Sequence, residues 1–534
     1  MDTQIYVEKV NESQIRCYFE DEGVARHVYE FFQYQDKTFQ PNPYSRWDGM
    51  VRLMDLNTGL MGQGLLQVLL VFCKQQGYTI GIDDRLKTVN NVTQEDLDDW
   101  VKELDLTVPG ENYKSDKSDY ICIDPYFYQS DALYYCAKFN KFTILAATGA
   151  GKSLIAYLLI RYYEMVYGDD GGKILLVVPS AKLVRQMKAD FEAYSIKNGW
   201  DADANCHQIV EGAVKTSNKP VFISTWQAIQ DEHPSYFDQF TKLIVDECHG
   251  SGADKMSYIC KHATRAHQRV GMTATLKDTE MHQLQVQANF GPIKRVVSTK
   301  QLQDMGQAAD TMIHVCNLSY SAEDRLFAST KLKDYHDEID WLINHPYRNK
   351  IIKSMILSLK GNSLFLFNRN EAHLEVIYNE IKELKDHVYM INGEVKLDDR
   401  AEIERIMESG ENVTILASYG TMSTGISIKK MHNLVLCHPS KSLVRVLQSI
   451  GRMLRMHSSK NQAQIYDLVD VLSLSAQQYK NYAMKHAVER FGFYTREQHK
   501  TKMRPIEVAE SFLTWVKPKP KGKKKVKKET EKVS

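Results

Sequence analysis

Between residues 121 and 298 the chain repeats one alternation: a short run of consecutive apolar residues, then a longer stretch with helical spacing. The short runs are "FTILAA" (142–147), "KILLVVP" (173–179), "PVFIST" (220–225), "KLIVDE" (242–247) and "RVGMTAT" (269–275). Strands that are apolar on both faces and separated by helices predict a parallel, doubly wound sheet. A second series follows with "NSLFLFN" (362–368), "HVYMING" (387–393), "VTILAS" (413–418), "NLVLCHP" (433–439) and "AQIYDLVD" (463–470). The pattern therefore predicts two α/β domains of similar size in tandem, with no shorter internal repeat.

The first 90 residues have a different texture. Alternating stretches such as "IYVEKV" and "IRCYFE", and the turn-rich "FQPNPYSRWDGMVRL" (39–53), predict a small α/β module. "TQEDLDDWVKEL" (93–104) predicts a capped helix, and "TVPGENYKSDKSDY" after it reads as a polar linker. The expected divisions are 1–115, 116–298, 299–516 and a tail, 517–534.

Composition narrows the class. A hydrophobic fraction of 43% with 25% charged residues is ordinary for a soluble globular protein. The most apolar run, "GLLQVLLVFC" (64–73), is about half of what a bilayer requires, and the N-terminus has no signal-peptide core. No membrane association and a cytoplasmic setting are expected. Nine scattered cysteines without a C-x-x-C pair suggest neither a zinc ribbon nor a disulfide framework. The net charge of +1 hides a Lys-rich tail of +7 from Lys517 onward, which leaves about −6 on the first 516 residues. Such a tail is expected to be disordered, and suits either electrostatic polyanion binding or solubility.

Candidate chemistry begins at "AATGAGKS" (146–153), which follows an apolar strand and opens the apolar run "LIAYLLI". A phosphate loop needs small residues so that backbone N–H groups close around phosphate oxygens, a Lys for the outer phosphates and a hydroxyl for Mg²⁺. Thr148, Gly149, Ala150 and Gly151 supply the loop, Lys152 the cation and Ser153 the hydroxyl; Ala146 stands where the first Gly is usual. "LIVDECH" (243–249) then places Asp246 and Glu247 at the end of an apolar strand, the edge where open α/β sheets bind ligands. Adjacent strand residues point to opposite sides, so the two carboxylates can divide the work. Asp246 would hold Mg²⁺ through its water shell, and Glu247 would orient and deprotonate the attacking water. ATP and Mg²⁺ are the implied ligands.

Two further stretches are ambiguous taken alone. In "DPYFYQSDAL" (124–133), Tyr128 and Gln129 suit stacking on and hydrogen bonding to an adenine edge, while core packing explains Tyr128 equally well. In "QSIGRMLRMHSSK" (448–460), helical geometry at about 100° per residue sets Arg445, Gln448, Arg452 and Arg455 on one strip and Leu447, Ile450, Met453 and Leu454 on the other side. The strip is either a basic solvent-facing stripe or a set of arginine fingers. Fingers facing a nucleotide on the first domain would tie hydrolysis to domain closure, with rate effects of roughly 10³ to 10⁵.

Taken together, these motifs resemble the superfamily 2 helicases of DEAD/DEAH type, and among them the phage DECH-box recombination helicases. "PYFYQSDA" is similar to the adenine-recognition segment, "ATGAGKS" to motif I, "VVPSAKLVRQM" to motif Ia and "ISTWQ" to the next DNA-contact motif. "DECH" and "TAT" are similar to motifs II and III; "FLFNRN", "ASYGTMSTGISI" and "QSIGRMLR" to motifs IV, V and VI. "FQPNPYSRWDGMVRLMD" resembles the accessory domain of the phage enzymes. The resemblance implies two tandem RecA-like parallel-sheet domains after a small α/β accessory domain. It also implies coupling roles for His249, Thr273 and Thr275, backbone contacts to one nucleic-acid strand from Pro179, Ser180, Thr225, Arg369 and Thr424, and a place for Gly425 near the ribose and phosphates. Of the arginine strip, only Arg452 and Arg455 match the family's motif. Ser427 departs from the Asp common there, and no ribose contact is assigned to it.

The expected function is therefore that of an ATP-dependent DNA helicase, a nucleic-acid-stimulated ATPase. The family implies unwinding or branch migration of forks, Holliday junctions, D-loops or R-loops, including RNA:DNA hybrids, in recombination, repair and replication restart, beside other recombination or replication proteins. A duplex translocase or annealing factor without processive strand separation is the nearest rival; an ATP-binding switch without turnover is the more distant one. In the N-terminal module, Arg46, Trp47 and Arg52 are candidate DNA contacts, with Trp47 either a stacking wedge or part of the module's own core.

Overall fold

Strands buried on both faces, spaced by helices, build two sheets of one design in a computed structural model of the chain. The structure describes residues 3–36, 47–87, 89–110, 112–113, 115–250, 254–276, 279–367, 371–393, 395, 397–420, 429–438, 450–451, 453, 459–460, 462–474 and 481–516. Described residues fall into two compact units: those of 1–311, 420–430 and 442–463, and those of 312–419, 431–441 and 464–534.

The first unit opens with eight short strands: β1 (Ile5–Lys9), β2 (Gln14–Phe19), β3 (Gln33–Gln35), β4 (Met50–Arg52), β5 (Leu60–Gly62), β6 (Ile80–Ile82), β7 (Thr107–Pro109) and β8 (Tyr120–Cys122). A four-stranded sheet in the order β5-β2-β1-β6 carries the module. Alternation decides its faces: Ile5, Val7, Ile15 and Cys17 point into a core with Val24, Val28, Leu69 and Phe72 of two helices, whereas Tyr6 and Tyr18 face outward. Asp21 caps the helix Glu22–Phe31 through the Gly23 and Val24 amides, and Gly77, at φ 75°, ends the helix Leu66–Gln76.

The predicted capped helix is Gln94–Glu103, closed by a reciprocal Thr93/Asp96 capping box. The segment read as a polar linker instead contains the antiparallel pair β7/β8. Thr107 there is fully buried, and its hydroxyl donates to the Ala193 carbonyl at 2.9 Å. Long-range packing thus overrides a local composition that reads as loop.

The large sheet of the first unit comprises β9 (Lys141–Ala146), β10 (Lys173–Val178), β11 (Cys206–Ile209), β12 (Val221–Thr225), β13 (Phe240–Asp246), β14 (Gln268–Thr273) and β15 (Ile293–Val297). Its order is β11-β12-β10-β13-β14-β9-β15, and every pairing is parallel. The second unit holds β16 (Asp310–Ser319), β17 (Ser363–Phe367), β18 (Val388–Ile391), β19 (Thr414–Ser418), β20 (Asn433–Leu436), β21 (Gln462–Val471) and β22 (Lys500–Glu507), ordered β18-β19-β17-β20-β21-β16-β22. Counted in chain order within each sheet, both read third, fourth, second, fifth, sixth, first, seventh. The two sheets are thus the expected tandem RecA-like pair. The edge strands β11, β15 and β22 lack the apolar runs that mark the central ones. β22 ("KTKMRPIE") is almost wholly exposed, and its cations and Pro505 protect an open edge.

Beyond the end of β16, the Tyr320 hydroxyl donates to Asp470 at 2.7 Å, and Arg348 holds the same carboxylate at 2.7 and 3.0 Å, all fully buried or nearly so. All nine cysteines are free, and only Cys122 is exposed. Among the described residues no helix is long and apolar enough to cross a membrane.

Candidate active site

Because the large sheet of the first unit is parallel, the C-terminal ends of its strands lie along one edge, and the loops there carry nearly all the candidate residues that the structure describes. The phosphate loop follows β9. Gly149 and Gly151 take φ of 90° and 72°, a left-handed backbone suited to glycine, and Gly151 caps the helix Lys152–Tyr167. Helical amides and the positive end of the helix dipole therefore face the loop.

Gln129 braces this loop from behind. Its Nε2 donates to the Ala150 carbonyl at 2.9 Å, and its Oε1 accepts from the Tyr126 amide at 2.9 Å. A Cβ on Gly151 would lie 2.4 Å from that same Nε2, so the glycine is needed for space as well as for its φ. Tyr128 is 1% exposed and belongs to the core, which is the packing reading of this residue. The aromatic rings open to solvent beside it are Tyr126 and Phe127. Ser153 Oγ lies 2.9 Å from the Tyr194 hydroxyl, a partner that no local motif points to.

Asp246 ends β13 two strands from β9, and Glu247 follows with φ 54°, a strained conformation for a non-glycine residue. Asp246 is buried, and its Oδ1 has no hydrogen-bond partner. An orphaned carboxylate oxygen at this edge, within the field of Lys152, has the chemistry of a divalent-cation site. Burial and the neighbouring Glu247 charge raise the Asp246 carboxyl above its ordinary range, which a cation would reverse. Glu247 shifts the other way. Burial pushes it up, but Lys152 and hydrogen bonds from His249 and Thr273 outweigh burial and hold it ionised.

Those bonds join two motifs. Glu247 Oε2 accepts from the Thr273 hydroxyl at 3.1 Å and lies 3.1 Å from His249 Nδ1, which is itself 3.0 Å from Thr273 Oγ1. The Thr275 amide donates to Thr273 Oγ1 at 3.3 Å. Thr273 has a single hydroxyl proton for Glu247 or for the Thr275 carbonyl at 3.0 Å, so the network has two settings. Pro179 and Ser180 follow β10, and Thr225 ends β12. Both hydroxyls are helix caps, Ser180 accepting from the Leu183 amide at 3.4 Å and Thr225 from Ala228 at 3.3 Å. Trp47 is 45% exposed with its indole donating to the Met50 carbonyl, and Arg52 pairs with Asp48 and Tyr29.

Arg369, Thr424, Gly425, Gln448, Arg452 and Arg455, together with Arg46, Ser427 and Arg445, lie outside the described residues. Of the predicted arginine-bearing helix, Ile450 and Met453 are buried, as its apolar side requires. A Cβ on Gly451 would lie 2.5 Å from Thr148 Cβ, a residue grouped in the same compact unit.

Gly271, inside β14, is a close-packing position behind the site that its motif did not single out, although an isolated glycine in a strand signals close approach. A Cβ there would lie 2.9 Å from Cys248 Sγ and from the Phe290 ring. Gly271→Ala is expected to destabilise the protein by about 1–3 kcal/mol through overpacking. A thermal melt that matched the parent would show that Cys248 has room to move.

Three family models match the chain: type III restriction enzyme, res subunit, over 88–278; helicase conserved C-terminal domain, over 347–457; and DNA helicase UvsW, N-terminal, over 2–83. The chain is 32% identical over 525 residues to the ATP-dependent DNA helicase uvsW of Enterobacteria phage T4, covering 95% of this chain and all of that relative. The crystal structure of T4 UvsW matches at 31% identity and a TM-score of 0.48, over 95% of this chain and all of that one. A fragment of a putative HsdR subunit of a type I restriction enzyme from Vibrio vulnificus, 16% identical, shares the fold at a TM-score of 0.53, with 91% and 98% covered. On this likeness, spanning all three matched regions, the chain belongs to the UvsW family of ATP-dependent DNA helicases.

Proposed function

We propose that the protein uses ATP to translocate on nucleic acid and to unwind or branch-migrate branched DNA such as forks, Holliday junctions, D-loops and R-loops, in recombination, repair and replication restart. The observation that supports this most is the Glu247 carboxylate held jointly by His249 and Thr273 beside the phosphate loop. A carboxylate that is ionised, oriented and tied to the next strand suits positioning of a water, which is most of what phosphoryl transfer asks of a protein. Lys152 lowers the basicity of Glu247 until phosphate charge engages that lysine. Glu247 thus becomes a better base once substrate is present.

Mg²⁺, when bound, would neutralise charge on the phosphate oxygens; Asp246 and Ser153 are the residues to hold it, with the Ser153 hydroxyl turning from Tyr194. Adenine falls to the exposed Tyr126 and Phe127 in preference to the buried Tyr128, and Gln129 reaches it only by turning its buried amide from the Ala150 carbonyl and the Tyr126 amide. In this reading Arg452 and Arg455, with Gln448, are assigned to the γ-phosphoryl as cationic and polar groups, and Gly425 is assigned to the ribose. Backbone amides at the helix start after Ser180, with Pro179, Thr225, Arg369 and Thr424, grip phosphates without reading sequence. In this reading 1–115 is the accessory module, 116–298 and 299–516 are the two RecA-like domains, and the Lys-rich tail adds electrostatic affinity.

A panel of labelled fork, four-way junction, D-loop, RNA:DNA hybrid and blunt duplex substrates, assayed with ATP, tests the proposal. Strand displacement on the branched substrates is expected. ATP turnover on blunt duplex with no strand displacement anywhere would replace the helicase reading with that of a duplex translocase.

A further inference from the structure

The helix that follows motif III, Glu280–Phe290, faces two ways. His282, Val286 and Phe290 recur at four-residue spacing. Val286 and Phe290 share a buried cluster with Val245 and Cys248 of motif II, and the Phe290 ring abuts Gly271. His282 Nε2 lies 2.7 Å from the His249 carbonyl oxygen, so that nitrogen carries the proton and donates. The opposite stripe, Leu284 and Ala288, belongs to the core of the N-terminal module, together with Ile5, Met61 and Leu65.

The seam with the module is made of main chain. A Cβ on Gly64 would lie 1.9 Å from the Gln287 carbonyl oxygen and 2.6 Å from the Gly291 amide, and one on Gly62 would lie 2.6 Å from the Ala288 carbonyl oxygen. Around it, the Glu12 amide donates to the Thr264 carbonyl at 3.0 Å, Ser13 Oγ donates to the Lys261 carbonyl at 2.9 Å, and Lys141 pairs with Glu12 at 3.2 Å. Backbones this close leave no slack for sliding.

We infer that the helix Glu280–Phe290 transmits force between the N-terminal module and the hydrolysis site, with His282 as a positioning residue that fixes the motif II main chain at His249. Load applied to the module moves the helix as one body, and the first group it displaces at the site is the His249 carbonyl, two residues from Glu247. The inference rests on the assignment of Glu247 to hydrolysis.

The test uses the full chain with a fork substrate. His282→Ala is expected to lower DNA-stimulated kcat by about tenfold or more, with the KM for ATP within about twofold, since a misplacement near 1 Å can remove about 10² in rate. His282→Gln, which keeps an N–H donor, should recover much of that loss. Gly64→Ala is expected to reproduce the kcat defect from the module side; if it does not fold, Leu284→Val, one methylene smaller on the same seam, takes its place. Glu247→Gln is the control. If that control abolishes turnover while either His282→Ala or the seam variant stays within about twofold of the parent kcat, the linkage is overturned. A control that still turns over would instead remove the site assignment.

Discussion

Lys152→Ala is expected to reduce ATP turnover to background while leaving DNA affinity within about twofold. The lysine is the only cation placed to meet the outer phosphates among the described residues of the loop, and removal of one preorganised charge from such a site costs about 10²–10³ in rate at the least. A second signature follows from the carboxylate pair. Lys152 is the strongest influence lowering Glu247 against burial, so its loss lets the Glu247 carboxyl rise toward that of its buried neighbour Asp246. Phosphate release with and without a fork, and fluorescence anisotropy of the labelled fork, measure the two quantities. Turnover that survived would sink the phosphate-loop assignment.

Glu247→Gln is expected to trap the enzyme with ATP bound and intact. The amide keeps the size of the side chain and one acceptor for Thr273, but it has no negative charge with which to orient or deprotonate water. A loss of about 10²–10⁴ in kcat is anticipated, with nucleotide affinity preserved. Single-turnover hydrolysis beside equilibrium nucleotide binding separates the terms. A loss below about tenfold would assign the water to another base, and a matching loss of binding would show that the carboxylate was needed to build the site.

The sequence alone makes much of this site legible, for a physical reason. A phosphate loop restricts residue type over six consecutive positions, because backbone must close on an anion, and an acidic pair at a strand end stands out against an apolar run. Both signals are local. The partners that fix the geometry are not: Tyr194 reaches Ser153 from the next helix along, and His282 reaches His249 from beyond motif III. The same divide runs through the fold. Central strands announce themselves by burial on both faces, whereas β22 is a charged edge and β7 and β8 sit in a stretch with the composition of a linker. Tyr128 shows the limit within a motif, since its aromatic character suited two environments and its burial in the core is visible only in the fold.

The common strand order of the two sheets has a consequence for stoichiometry. At the strand corresponding to β9, the second sheet continues into Tyr320 and Ser321 in place of a glycine loop and lysine; after the strand corresponding to β13 come Cys437 and His438 in place of Asp246 and Glu247. The carboxylate of Asp470, near the end of β21, is committed to Tyr320 and Arg348, deep inside. The same strand positions thus carry the candidate chemistry in one sheet and buried internal bonds in the other. Among the described residues a single sheet per chain carries the nucleotide chemistry, which makes one nucleotide bound per chain the expected stoichiometry.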